Sequence, residues 1–285
     1  ITSVRTLADA CRQLKRKYFN VAVVDLNLGG EKALENHGFS FLKEMYEMDL
    51  AETIRTIIWS GDKDPDLVRD AFVHYGVVDF LGKSAQVADT LIASVKRALA
   101  TNHLDQPLEI DLGGNDLSSL WQGMQWAERE EPEQLRPEME DLLRRLFPGA
   151  TSLFIQRLNA GQSGAGVLRV DPYYASRTGE SVIVKYGKRD KIKQENNNYQ
   201  RYAANSVGAF SSTRLNYVGG RVMAALAYSL IGTELGAITS FAQFYKKHDV
   251  AAIKIVLDRL FSETCGRWYD DREQPRRRRD LMQLY

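Results

Sequence analysis

Val21-Ala22-Val23-Val24-Asp25-Leu26-Asn27-Leu28-Gly29-Gly30 decides the reading of the first half of the chain. Four apolar residues run into a single carboxylate and then into a polar, glycine-rich loop. A short β-branched run bounded by turn residues suits a parallel strand buried on both faces. Such a strand has no room for a charge, so Asp25 belongs at its C-terminal end, where the loop opens. In open α/β sheets that end is where ligands bind. A carboxylate held there serves as a nucleophile, a metal ligand or a helix cap.

The flanking sequence alternates in the same manner. Ile1 to Thr6 reads as a short alternating β-type segment, followed by a helix from Leu7 to Lys17 with Leu7, Ala10, Cys11 and Leu14 at helical spacing. Gly38 to Met48 is helical, with Phe41, Leu42, Met45 and Tyr46 on one side. Thr56-Ile57-Ile58-Trp59-Ser60-Gly61 is a second buried strand, and Asp64-Pro65 opens a helix, proline being suited to a first turn. Gly76 to Lys83 is a third strand, and Val87 to Leu99 a further amphipathic helix. Strand and helix in alternation predict a doubly wound parallel sheet.

Three consecutive strands therefore end in Asp25, Ser60 and Lys83. Carboxylate, hydroxyl and ammonium meeting at one sheet edge suit phosphoryl transfer, the carboxylate attacking and the other two binding phosphoryl oxygens. Taken singly, each has an ordinary reading as a cap or a solvated side chain; the specificity lies in the order of all three.

On these residues Ile1 to Ala100 resembles the receiver domain of two-component response regulators, an α/β, flavodoxin-like fold. The resemblance implies Asp25 as phospho-acceptor, Ser60 as the switch hydroxyl followed by the small Gly61, Lys83 as the family lysine and Phe80 as the aromatic switch. It implies Mg²⁺, held by Asp25 and the backbone carbonyl of Asn27, and a histidine kinase or phosphotransfer protein as partner. Ser84 stands where the family has proline. The family's acidic pair follows its first strand, and if Ile1 begins the family's second strand, that first strand and the pair are expected to be absent here. With the family strand order 2-1-3-4-5, a truncated domain is expected, with weak Mg²⁺ binding and poor phosphorylation.

The chain has 285 residues, 44% hydrophobic and 26% charged, with a formal net charge of +1. That suits two globular domains and gives no global field favouring nucleic acid or membrane. No apolar run approaches the roughly 20 residues that span a bilayer. Cys11 and Cys265 fit no metal-ligand spacing and read as free thiols of a cytoplasmic protein. The sequence divides into a first domain over 1–101, a linker with short helices over 102–137 and a second domain over 138–285. The acidic run Glu128, Glu130, Glu131, Glu133 reads as a solvated face, and Arg276 to Arg279 as a solvated basic tetrad.

In the second half, Ser152 to Leu158 and Val167 to Val170 flank Gly161-Gln162-Ser163-Gly164-Ala165-Gly166, a hairpin with a glycine-rich turn. Such turns let backbone N–H groups approach an anion, and they also occur with no ligand. Lys185 lies near the end of the strand Glu180 to Tyr186. Ile192, Glu195, Tyr199 and Tyr202 share one helical face, where a glutamate wants a cation. Glycine loop, strand lysine and helix glutamate follow the order of a kinase-like small lobe, with Gly161, Ser163, Gly164, Gly166, Lys185 and Glu195 as nucleotide-binding candidates and ATP as the ligand. An ordinary surface ion pair is the alternative. Arg214 onward reads as two more strands split near Gly219-Gly220, and Ser240 to Phe261 as helix.

Residues 138–285 also resemble the bacterial ternary-complex-associated domain, on Leu146-Phe147-Pro148-Gly149-Ala150, the glycine loop, Val184-Lys185-Tyr186-Gly187, Glu195 with Tyr199, and Phe244-Tyr245 with Trp268-Tyr269. The family is distantly like phosphotransferase small lobes, and the resemblance implies an α+β output domain. No His-x-Asp-x₄-Asn pattern of a kinase catalytic loop occurs. The sequence thus carries three readings: a phosphorelay response regulator controlling an attached effector, an ATP-binding phosphotransferase lobe, and a non-catalytic protein-assembly module with an unknown output partner.

Overall fold

The computed structural model describes all residues except 27–36, 62–63, 84–86, 102, 159–163, 205–211, 231–240, 265 and 267–285. It is a mixed α/β chain with two sheets, one parallel and one mixed.

The first sheet holds β1 (Val21–Val24), β2 (Arg55–Ser60) and β3 (Val77–Gly82), in that order and all parallel. The intervening α2 (His37–Glu47) and α3 (Pro65–His74) supply the crossovers that parallel strands require. α1 (Leu7–Arg16) precedes the sheet and α4 (Val87–Thr101) follows it. Thr6 caps α1 by accepting from the Asp9 N–H, and Asp64 caps α3 with Pro65 behind it. Ala10 and Leu14 of α1 and Phe41, Leu42 and Met45 of α2 bury their apolar stripes against Val24 and Ile58. Ile57, next to Ile58 on the strand, is also wholly buried, as expected of a strand covered on both faces. Ile1 to Thr6 differs from its alternating pattern. It joins no ladder, and Val4 packs on the α1–α2 core instead.

The second sheet runs β4-β5-β6-β8-β10-β9, with β7 paired to β6. Its strands are β4 (Glu109–Asp111), β5 (Ser152–Leu158), β6 (Gly166–Tyr174), β7 (Arg177–Thr178), β8 (Val182–Lys188), β9 (Arg214–Gly219) and β10 (Met223–Ser229). One face is covered by α5 (Pro132–Leu146) and by the 3₁₀ turn Leu117–Leu120, which bury Leu120, Leu135, Met139, Leu142 and Leu143 against Leu153, Leu168, Val184 and Met223. At about 1.5–3 kcal/mol for each large apolar side chain taken from water, this is the larger of the two cores. The other face carries α6 (Arg189–Asn198), with Ile192 against Ala165, Ala224 and Leu226. α7 (Phe241–Lys247) and α8 (Val250–Arg259) follow.

The segment 102–137 is built into this second sheet and core. β4 extends the sheet beside β5, and α5 runs continuously through Pro137. Beyond Asn198 the helix passes into a π-turn over Tyr199–Ala203. The extra residue in that turn rotates Tyr202 off the face of Ile192, Glu195 and Tyr199, leaving it half exposed.

Candidate functional site

The C-terminal ends of the three parallel strands bring the expected trio to one edge. Asp25 follows β1, Ser60 ends β2, and Lys83 follows β3. Lys83 Nζ lies 2.5 Å from Asp25 Oδ2, both side chains being partly exposed. The Lys83 N–H donates to the Ser60 carbonyl at 3.1 Å, and the ammonium sits 5.6 Å from the centre of the Trp59 ring. Backbone and indole together aim the lysine at the carboxylate. Ser60 is fully buried. Phe80 is partly buried against the first core. Asn27 lies outside the described residues.

Gly38 completes the approach, which the sequence pattern did not single out. Its N–H donates to the Leu26 carbonyl, and a Cβ there would stand 2.2 Å from the Asp25 carbonyl oxygen and 2.5 Å from Leu26 Cα. Only glycine lets the start of α2 close on the Asp25 backbone. Among the described residues, Asp25 is the one carboxylate at these strand ends, and Lys83 occupies its Oδ2. No group of three or more His, Cys, Asp or Glu side chains that could hold a metal occurs among the described residues. Asp25, with one oxygen on Lys83, would supply one carboxylate to Mg²⁺, which takes one or two alongside phosphate and water.

In the second domain Lys185 and Glu195 meet as expected, Nζ to Oε2 at 2.6 Å. Tyr228 donates to the other Glu195 oxygen at 3.3 Å, and burial followed by the Glu195 charge pushes the phenol pKa up. Tyr199 packs edge-on against Tyr228. Of the loop candidates, Gly164 takes the left-handed conformation at φ 70°. Gly166 has a packing reason: a Cβ would fall 2.2 Å from the Tyr186 ring, whose hydroxyl donates to the Leu120 carbonyl. Gly161, Ser163, Trp268, Tyr269 and Arg276 to Arg279 lie outside the described residues.

The residues that join the two sheets and their flanking helices were not anticipated. They gather at the N-terminal ends of the parallel strands, opposite Asp25. The Tyr18 hydroxyl donates to the fully buried Asp141 carboxylate, and the Tyr18 N–H donates to Gln134 Oε1 at 3.0 Å. Arg145 holds the same Asp141 oxygen at 2.5 Å and donates to the Gly219 carbonyl at 2.9 Å, which also accepts from Thr53 Oγ1. Arg221 donates to the Lys15 carbonyl at 2.9 Å and to Glu130 at 2.7 Å. Arg189 donates to the Met48 carbonyl, and Lys193 pairs with Asp49 at 2.5 Å.

Behind this interface Glu138 is completely buried. Its Oε1 accepts from the Val222 and Met223 N–H groups at 2.7 and 3.0 Å, with Arg221 Nε 4.0 Å from Oε2. Burial pushes the Glu138 pKa up to about 7, against the lowering effects of those N–H donors and of Arg221. Gly220 must lack a side chain, since a Cβ would stand 2.4 Å from Glu138 Oε1. The Tyr18 hydroxyl is likewise pushed well up, by burial first and by the Asp141 charge second.

Residues 150–283 match the model of the family described as ternary complex associated domain 9. No curated protein matches the chain. Among solved structures, the response regulator LqsR of Legionella pneumophila aligns over 86% of this chain and 79% of that chain, at 14% identity and a TM-score of 0.24. A superposition at that level does not define a common fold. The second half of this chain is therefore similar to the ternary complex associated domain 9 family, over the residues that build the mixed sheet and its flanking helices from Ala150 onward.

Proposed function

We propose that the chain is a phosphorelay response regulator in which Asp25 accepts a phosphoryl group from a histidine kinase or phosphotransfer protein. The observation that carries this reading is the Lys83–Asp25 contact of 2.5 Å at the mouth of three parallel strands, with Ser60 ending the middle one. In the reaction an Asp25 carboxylate oxygen attacks phosphorus. The bond from phosphorus to the donor's imidazole nitrogen breaks, the imidazole leaves and takes up a proton, and an acyl phosphate remains on Asp25. Lys83 balances the added negative charge. No step is routed through a metal.

Phosphorylation acts as a population shift between domain arrangements rather than as a fixed push. The contacts available to respond are those of Tyr18, Thr53 and Asp49. Tyr18 and Thr53 precede β1 and β2, at the opposite end of the parallel sheet from the acceptor. The second domain is read as the regulated output module. Its similarity to a family named for ternary-complex association supports a protein partner.

The test is phosphate incorporation from acetyl phosphate into the wild type, Asp25→Asn and Lys83→Ala. Slow incorporation in the wild type, in keeping with the weak Mg²⁺ binding expected of it, none in Asp25→Asn and at least about tenfold slower labelling still in Lys83→Ala is expected, a tenfold rate being 1.36 kcal/mol of barrier. Equal labelling of wild type and Asp25→Asn would overturn the assignment.

A second reading rests on the Lys185–Glu195 pair of 2.6 Å: the second domain is a kinase-like small lobe that binds ATP through Lys185. Calorimetry with ATP tests it. Binding lost in Lys185→Ala supports the lobe, and absence of binding in both proteins favours the assembly module.

A further inference from the structure

Away from both the Asp25 edge and the Lys185–Glu195 pair, a concavity of about 550 Å³ opens at the glycine-loop end of the mixed sheet. Its walls are the segment Gln122 to Trp126, the end of β5, the start of β6 and the passage from β8 into α6. The volume lies within the range of small-molecule sites, about 300–1,000 Å³. Three cations line it, Arg157, Lys188 and Lys191, and no carboxylate does. Lys188 and Lys191 are exposed and have no ion pair among the described residues. Arg157 is oriented by a 2.9 Å bond from one guanidinium nitrogen to the Ser119 carbonyl, which leaves its other donors available. Three unneutralised positive groups around one hollow repel one another, and an anion relieves that repulsion.

The remaining lining gives the ligand more than a charge. Gln122 and Gln125 offer exposed amides, and Met124 and Trp126 offer apolar and aromatic surface. A short basic patch for a bare ion needs none of these. The hollow is also distinct from the Lys185 site. Lys185 does not line it: Lys188 shares strand register with Val184 and Tyr186 on the α5 side, while Ala165 and Ile192 contribute the α6 side of the hollow.

We propose that this concavity binds a small organic phosphate of mononucleotide size, with Arg157, Lys188 and Lys191 on the phosphate and the Gln122–Trp126 segment on the organic part. The test uses AMP as probe on the full chain. Isothermal titration measures affinity, and tryptophan fluorescence reports on Trp126, with Trp126→Phe as the control for that signal. Saturable binding is expected, displaced by inorganic phosphate. It should be weakened at least about tenfold in Lys188→Ala/Lys191→Ala, consistent with loss of charge-assisted contacts. Circular dichroism of the double variant confirms that it folds, both lysines being exposed. Two results overturn the proposal: no saturable binding of AMP, or binding unaffected by the double variant.

Discussion

Replacing Glu138 by glutamine should remove a pH dependence of stability from the wild-type protein. Glu138 is fully buried, its Oε1 is held by two backbone N–H groups, and burial raises its pKa from 4.5 to about 7. The sign follows from linkage. A carboxyl whose folded pKa lies above its unfolded value is penalised when ionised in the fold. Its contribution is therefore complete below the unfolded value and is lost as pH rises through the folded one. At 1.36 kcal/mol per tenfold in proton affinity, the whole loss is about 3 kcal/mol, most of which falls between pH 5 and pH 8. A glutamine amide at this position would keep an oxygen for the Val222 and Met223 N–H groups and stay neutral throughout. The assay is equilibrium urea unfolding of wild type and Glu138→Gln at both pH values and one ionic strength. The advantage of the wild type over the variant should shrink by about 2–3 kcal/mol on going from pH 5 to pH 8. A constant difference across that range would refute the reasoning, because it would mean that Glu138 is as readily ionised in the fold as out of it.

Tyr18→Phe removes the hydroxyl that donates to the buried Asp141 while leaving Arg145 in place. A hydrogen bond to a charged group contributes about 1.5–3 kcal/mol, so urea unfolding should show a loss near 2 kcal/mol, and a change below about 0.5 kcal/mol would count against a stabilising interface. Gly38→Ala inserts a methyl 2.2 Å from the Asp25 carbonyl oxygen. Overpacking of this kind costs about 1–3 kcal/mol, and because the displaced backbone carries the acceptor, Gly38→Ala should also slow acetyl-phosphate labelling; unchanged stability and labelling would show that α2 can shift freely.

The strand-end residues were legible because each is chemically out of place at the end of an apolar run. Asp25 after four apolar residues, Ser60 after Thr56 to Trp59 and Lys83 after Val77 to Gly82 could be placed at one edge once the alternation of strand and helix was read. Lys185 and Glu195 were legible for a related reason, a charge on an apolar helix face requiring an opposite partner.

The interface was not legible. Glu138 and Asp141 lie in a charged helical stretch with nothing local to mark them as buried, and their partners come from the β9–β10 turn some 80 residues later (Gly219 to Val222) and from Tyr18 more than 100 residues earlier. Glu130 belongs to the acidic run read as a solvated face, yet it binds Arg221. Helical periodicity placed Tyr202 with Ile192 and Glu195, and the π-turn broke that register. Nothing in local composition marks a place where the hydrogen-bond step changes from four residues to five.

The most direct test of the central claim is to map the modified residue. The full chain is treated with acetyl phosphate, then with borohydride, which reduces an acyl phosphate on aspartate to homoserine, and its peptides are sequenced by mass spectrometry. The account predicts homoserine at position 25, absent without the phosphodonor and slower to appear in Lys83→Ala. Phosphate on another residue, or none on Asp25, would contradict it.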